Sequence, residues 1–150
     1  MGDAQTVPTP GQLADALAYA SFLFWETLAE MEREEIECAK LACGWSATSL
    51  VAHIAFWDDY QRRRMEAALA GTWQAAGFAR PPLDNDARAQ ADANRPWPEV
   101  EEAAKTAREK LVAFARTLPP EALRQDYGEG ENSFSLLKLL QHMANHVREH

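Results

Sequence analysis

Four stretches of this 150-residue sequence place apolar residues at three- and four-residue steps, the repeat of an amphipathic α-helix. The clearest spans residues 12–40, where the repeat is carried by Leu13, Leu17, Ala20, Phe24, Leu28 and Met31. Strand signals are nearly absent, with no sustained β-branched alternation and no Asn-Gly hairpin. Four such helices in a chain of this length predict one all-α domain over residues 1–150, a four-helix bundle.

The helix boundaries follow from capping and helix-breaking residues. The second helix is predicted to begin after Ser46, whose hydroxyl can accept from an early backbone N–H, and to end at Gly71. The third is predicted to open at Pro98 and to stop before Pro119. The fourth is predicted to begin after Ser133 and to run to the end of the sequence.

A long connection, residues 72–97, separates the second helix from the third and is predicted to hold a short helix near residues 84–94. Antiparallel neighbours in a bundle do not need such a long connection. It therefore favours a crossover between parallel second and third helices, which makes the bundle up-down-down-up.

The charge balance excludes some classes of partner. Fifteen Lys and Arg residues against 23 Asp and Glu residues give a net charge of −8, which disfavours nucleic-acid binding and docking on anionic lipid. The basic run 62–64 is interpreted as a solvated turn rather than an anion patch, and Cys38 and Cys43 as reduced thiols. With neither a membrane-spanning run nor a secretion signal in the sequence, we expect a cytoplasmic protein.

The sequence contains four histidines, and three of them, His142, His146 and His150, follow one another at four-residue steps. Two imidazoles four residues apart on a helix can bind one divalent ion. His142 and His150 are about 12 Å apart along the helix axis, too far to share an ion. One pair together with His53 would supply three nitrogen ligands and leave a position open for water or substrate.

The topology decides which pair is used. Parallel second and fourth helices would bring His53 level with His142 and His146, whereas antiparallel ones would bring it level with His146 and His150. The long crossover favours the second pair, which leaves His142 to line or support the site. Further candidates are Trp57 as a wall, Tyr60 as a substrate contact, and three carboxylates as acceptors for the second imidazole nitrogens: Glu26, Asp58 and Asp59.

Residues 44–57 (GWSATSLVAHIAFW) resemble the second-helix signature of the DinB/YfiT-like superfamily, in which a Trp-Ser start precedes a metal-binding His and often a Trp. Residues 145–150 (NHVREH) resemble its fourth-helix His-x-x-x-His motif, and residues 94–97 and 118–121 are also similar. The resemblance spans nearly the whole chain. It implies an up-down-down-up four-helix bundle with one divalent ion on His53, His146 and His150.

The family includes transferases and isomerases that depend on thiol cofactors. The first hypothesis is therefore a metal-dependent transferase or hydrolase, in which zinc or nickel activates water or a low-molecular-weight thiol against a small-molecule substrate. The alternative is a metal-free protein that binds or sequesters a small molecule in the same bundle. A third hypothesis is an interaction module with surface histidines. A homodimer is expected from the base rate and from the resemblance.

Overall fold

A computed structural model describes residues 7–38, 45–72, 85–127 and 134–149. The all-α prediction is confirmed, because the helices make up nearly all of the described structure: α1 Pro10–Ala29, α2 Arg33–Cys38, α3 Ala47–Ala70, α4 Asn85–Asp92, α5 Trp97–Arg116 and α6 Leu136–Glu149. A 3₁₀ helix, Pro120–Arg124, follows α5. Within the described ranges, no helix is both long and apolar enough to cross a membrane.

The boundaries of α3 are set by the two predicted residues. Ser46 is the N-cap, and its hydroxyl accepts from the backbone N–H of Ser49 at 3.1 Å. Gly71 ends the helix with φ of 73°, in the left-handed region that glycine adopts at little cost. The short helix predicted within the crossover is confirmed as α4, and the third predicted helix as α5.

The first helix does not continue over residues 12–40 as predicted. It ends at Ala29, and a turn leads into the separate helix α2. The turn lets Ile36 pack beside Leu28 against α3, where the hydroxyl of Thr48 donates to the carbonyl oxygen of Ile36 at 3.2 Å. Ile36 becomes buried through this tertiary contact, which the apolar spacing does not predict. The sequence pattern therefore predicted a helix that is too long.

The start of the last helix also differs from the prediction. Ser133 lies outside the described residues, and the hydroxyl of Ser135 accepts from the backbone N–H of Lys138 at 3.2 Å in the first turn of α6. A two-residue antiparallel pairing, β1 Asp126–Tyr127 with β2 Phe134–Ser135, precedes the helix. Strands of two residues are too short to leave an alternation in the sequence.

The main apolar core draws on α1, α3, α5 and α6. It consists of Leu13, Ala14, Leu17, Met65, Leu111, Ala115, Leu118, Ala122, Leu123, Leu136, Leu140 and Met143. A second cluster, around Val51, Trp97 and Val100, joins the N-terminal halves of α3 and α5. Between the two clusters, Asp58 of α3 and Arg108 of α5 form a buried ion pair. These contacts fix the position of α3 against α5, and α3 carries His53 of the candidate site.

The cap of α3 gives a stability prediction. Ser46→Ala is expected to lower the free energy of unfolding by about 1 kcal/mol, because an early backbone N–H loses its acceptor. Ser46→Gly is the matched control and should cost only roughly a few tenths of a kcal/mol. Urea unfolding followed by circular dichroism measures both. An unchanged free energy of unfolding in Ser46→Ala would show that the side-chain cap does not stabilise α3.

Candidate functional site

A cavity of about 630 Å³ lies between α3, α4 and α6. Its walls are formed by Trp45, His53, Trp57, Gln61, Arg64, Asn85, Asp86, His142, Met143 and His146. The four α3 residues recur at three- and four-residue steps, so one face of this helix forms a continuous wall. Because α3 is packed against α5 over its length, this wall is held by the core.

His53 and His146 meet across the cavity. Their Nε2 atoms are 3.3 Å apart, and the ring of His53 is 6% exposed. This separation allows one imidazole to donate a hydrogen bond to the other. It matches two nitrogens on one tetrahedral ion, which lie about 3.3–3.4 Å apart when each bond is about 2.0–2.1 Å. The pair therefore has the spacing of two ligands to a single metal ion.

Two tryptophans surround the imidazole of His53. The Trp45 ring lies edge-on to it at 5.1 Å between centroids, and the Trp57 ring lies edge-on at 6.5 Å. Each indole N–H donates a hydrogen bond to a side chain of α4: Trp45 to Asp86 at 3.1 Å and Trp57 to Asn85 at 3.1 Å. The predicted wall position of Trp57 is confirmed, and its apolar ring limits water around the histidine pair.

Of the other two histidines, His142 lies within the described residues and His150 does not. His142 is exposed and lines the cavity, with its ring 5.9 Å from that of His146, as expected of a neighbour of the site. His150, the third predicted ligand, lies outside the described residues. Within the described part of the chain, no group of three or more His, Cys, Asp or Glu side chains is arranged to hold a metal ion. Cys43 and the side chain of Cys38 also lie outside the description.

The carboxylates proposed as acceptors for the histidines are engaged or placed elsewhere. Asp58 receives two hydrogen bonds from Arg108, at 2.9 and 3.1 Å, and burial raises the pKa of Asp58 to about 6 despite the positive charge of Arg108. Asp59 pairs with Arg62 at 2.9 Å. Glu26 is exposed on α1 and does not line the cavity. Asp58 and Asp59 are close to His53 in sequence, but their side chains leave α3 in other directions.

Tyr60 is also absent from the described cavity lining. It is buried against Phe56, Trp57 and Tyr127, and its burial raises the pKa of its hydroxyl. Its predicted role as a substrate contact is therefore not supported. Tyr60 is seven residues from His53, so it lies close to the same face of α3. Its ring stacks on that of Phe56, however, and is buried there rather than at the cavity.

The sequence analysis assigned none of Gln61, Arg64, Asn85, Asp86 and Met143 to the site. Gln61 and Arg64 continue the face of His53 and Trp57 along α3, so extending that periodicity past Tyr60 would have found them. Asn85 and Asp86 come from α4, at the far end of the crossover. No local spacing connects them with His53, and only the packing of α4 on α3 brings them to the site.

Comparison with known proteins identifies one family. The family model described as the DinB superfamily matches residues 8–150, and so includes every described residue of the cavity. No curated protein and no solved structure matches the chain.

Proposed function

Because the chain belongs to the DinB superfamily, we propose that it is a metal-dependent enzyme that acts on a small molecule in the cavity beside His53 and His146. The ion would be held by these two histidines and by His150. The observation that carries the proposal is the 3.3 Å separation of the two Nε2 atoms, which is suited to a shared divalent ion. Imidazole ligands suit zinc, nickel, copper or iron, and of these we propose zinc or nickel.

The proposed arrangement of the helices is up-down-down-up, and the ion pairs and ring contacts support it. Asp15 and Arg116 join the start of α1 to the end of α5, while Trp25 and Trp97 join their other ends, as in antiparallel helices. Asp58 lies near the middle of α3, and its partner Arg108 lies near the middle of α5. On one side of this pair the N-terminal halves of the two helices share an apolar cluster, and on the other side their C-terminal halves share another. This pattern favours parallel α3 and α5.

The same arrangement accounts for the proposed ligand set. His53 lies in the first third of α3, and His146 lies near the end of α6, as expected if these helices are antiparallel. One further helical turn from His146 leads to His150. On this basis we favour His150 over His142 as the third ligand, in agreement with the resemblance to the family motif.

A divalent ion bound there would supply Lewis-acid chemistry, lowering the pKa of a water or of a low-molecular-weight thiol at neutral pH. The chain's own residues position the reactants. The rings of Trp45 and Trp57 exclude water around the histidines, and their hydrogen bonds to α4 hold the opposite wall. Thiol transfer and hydrolysis are the reaction types that we propose, in a cytoplasmic and homodimeric protein.

Metal analysis tests this proposal. Wild-type protein incubated with zinc or nickel and then desalted is expected to retain about one ion per chain, as for a single three-histidine site. His53→Ala and His146→Ala should both lose it. His142→Ala is the matched control, since this histidine lines the same cavity and is not in the proposed ligand set. Retention of the ion in both His53→Ala and His146→Ala would overturn the proposal.

The second candidate is a metal-free protein that binds or sequesters a small molecule. It is favoured by the aromatic walls of the cavity. A wild-type protein that binds no divalent ion, yet shows a rise in melting temperature with an apolar small molecule, would support this candidate.

A further inference from the structure

The cavity extends along α3 away from the histidine pair. From His53 to Arg64 the helix rises about 16 Å, at about 1.5 Å per residue, and both side chains line the same cavity. Side chains on a helix lean toward its N-terminus, so the guanidinium of Arg64 leans back toward the histidine end. Its Nη1 donates to Oε1 of Gln61 at 3.3 Å, in agreement with this lean.

Arg64 differs from the two arginines that precede it. Arg62 pairs with Asp59 at 2.9 Å and with Glu66 at 2.8 Å, and Arg63 pairs with Asp59 at 3.1 Å. None of the residues in these three ion pairs lines the cavity. Arg64 instead lies half-buried at the cavity, so the solvated basic turn predicted for residues 62–64 does not describe it.

The surroundings of Arg64 strengthen its attraction for an anion. Burial lowers the pKa of Arg64, which indicates that the cavity removes part of the water around the guanidinium. An arginine keeps its proton in proteins, so the side chain remains a cation in a site of reduced polarity. The acidic side chain of the described lining, Asp86, is exposed and accepts from the indole of Trp45 at the other end of the cavity.

We propose that Arg64 and Gln61 bind a carboxylate carried by the small molecule that enters this cavity. A planar guanidinium donates two parallel hydrogen bonds to a carboxylate, and the amide of Gln61 has further donors. Trp57, which lies between Gln61 and His53 on the same helix face, would contact the apolar middle of the molecule. The inference rests on the proposed function, which assigns the reacting end of that molecule to the histidine pair.

Calorimetric titration with two matched thiols tests the proposal. The probes are 6-mercaptohexanoate and 6-mercaptohexan-1-ol, which differ only in the carboxylate. Zinc-loaded wild-type protein is expected to bind the carboxylate at least about tenfold more tightly, the range of a hydrogen bond to a charged group. Arg64→Gln should remove this preference, and Arg64→Lys should keep part of it. Arg63→Gln, which changes an exposed neighbour, is the matched control and should behave as wild type.

Hexanoate and hexan-1-ol, which lack the thiol, separate this inference from the proposed function. Titrated into chelator-treated protein and into His53→Ala, they should retain the Arg64-dependent preference for the carboxylate, whether or not the protein binds metal. Equal binding of the carboxylate and the alcohol by a protein that holds one zinc would overturn the inference alone. A wild-type protein that binds no ion after incubation with zinc, yet keeps the preference for the carboxylate, would support the inference and contradict the proposed metal chemistry. No detectable binding of any of the four probes would overturn the inference.

Discussion

Arg108→Met is expected to lower the free energy of unfolding by about 3–5 kcal/mol, because it leaves a buried charge without its partner. Asp58 is 0% exposed and Arg108 is 5% exposed, so water cannot replace the guanidinium at the carboxylate. The two side chains share hydrogen bonds of 2.9 and 3.1 Å between α3 and α5. Urea unfolding of the variant and of wild-type protein measures the difference.

A double variant is the control for this prediction. Asp58→Leu combined with Arg108→Met replaces both charges by apolar groups of similar size, and it should cost less than Arg108→Met alone. The difference in the free energy of unfolding between the single and the double variant separates the penalty of an unpaired charge from the loss of packing. If the double variant were less stable than the single one, the ion pair would not be the source of the effect.

The pH dependence of the same variant has a definite sign. The pKa of Asp58 is raised to about 6 by burial, whereas an unfolded chain has an Asp pKa of about 3.9. The folded state therefore binds this proton more tightly, and the contribution of Asp58 to stability falls as pH rises from about 4 to about 6. Removing Arg108 should raise the folded pKa further. The deficit of Arg108→Met relative to wild type is thus expected to stay nearly constant from pH 4 to about 6, and to grow above the wild-type pKa by about 1.4 kcal/mol per pH unit.

Zinc is expected to stabilise the wild-type protein by about 2.7 kcal/mol when its free concentration is about 100 times the dissociation constant. The reason is that the folded chain alone would hold His53 and His146 at 3.3 Å, so the ion binds the folded state preferentially. Unfolding by urea, with zinc and with chelator, measures the shift.

Variants of the histidines identify the source of this stabilisation. His53→Ala and His146→Ala should abolish the zinc-dependent shift, whereas His142→Ala should retain it. A shift of equal size in His53→Ala would mean that zinc acts elsewhere on the folded chain, and the proposed ligand set would be wrong.

Part of the fold was predictable because it depends on residues close together in sequence. Ser46 caps α3 through a backbone N–H three residues on, and Gly71 ends it through its own backbone freedom. The apolar repeats of α1, α3, α5 and α6 likewise predict helices, because each of these helices buries one face. The periodicity failed at Ala29, where the chain turns because Ile36 gains burial beside Leu28.

Some residues of the candidate site were likewise predictable from the sequence, and others were not. Helical spacing and the family resemblance singled out His53 and His146, because ligand geometry on a helix follows from its rise and turn. The sequence analysis placed Arg64 with Arg62 and Arg63 in a solvated basic turn, and only its position at the cavity distinguishes it from them.

Local periodicity and capping groups were sufficient to predict an all-α chain with a helix over residues close to Ala47–Ala70. Three features required the folded molecule: the Asp58–Arg108 pair, the approach of Asn85 and Asp86 to the cavity, and the assignment of Arg64 to its wall. Each depends on which side of one helix meets another that is distant in sequence. A residue's type and spacing determine the helix face on which it lies, whereas burial, charge pairing and access to a cavity depend on the element packed against that face.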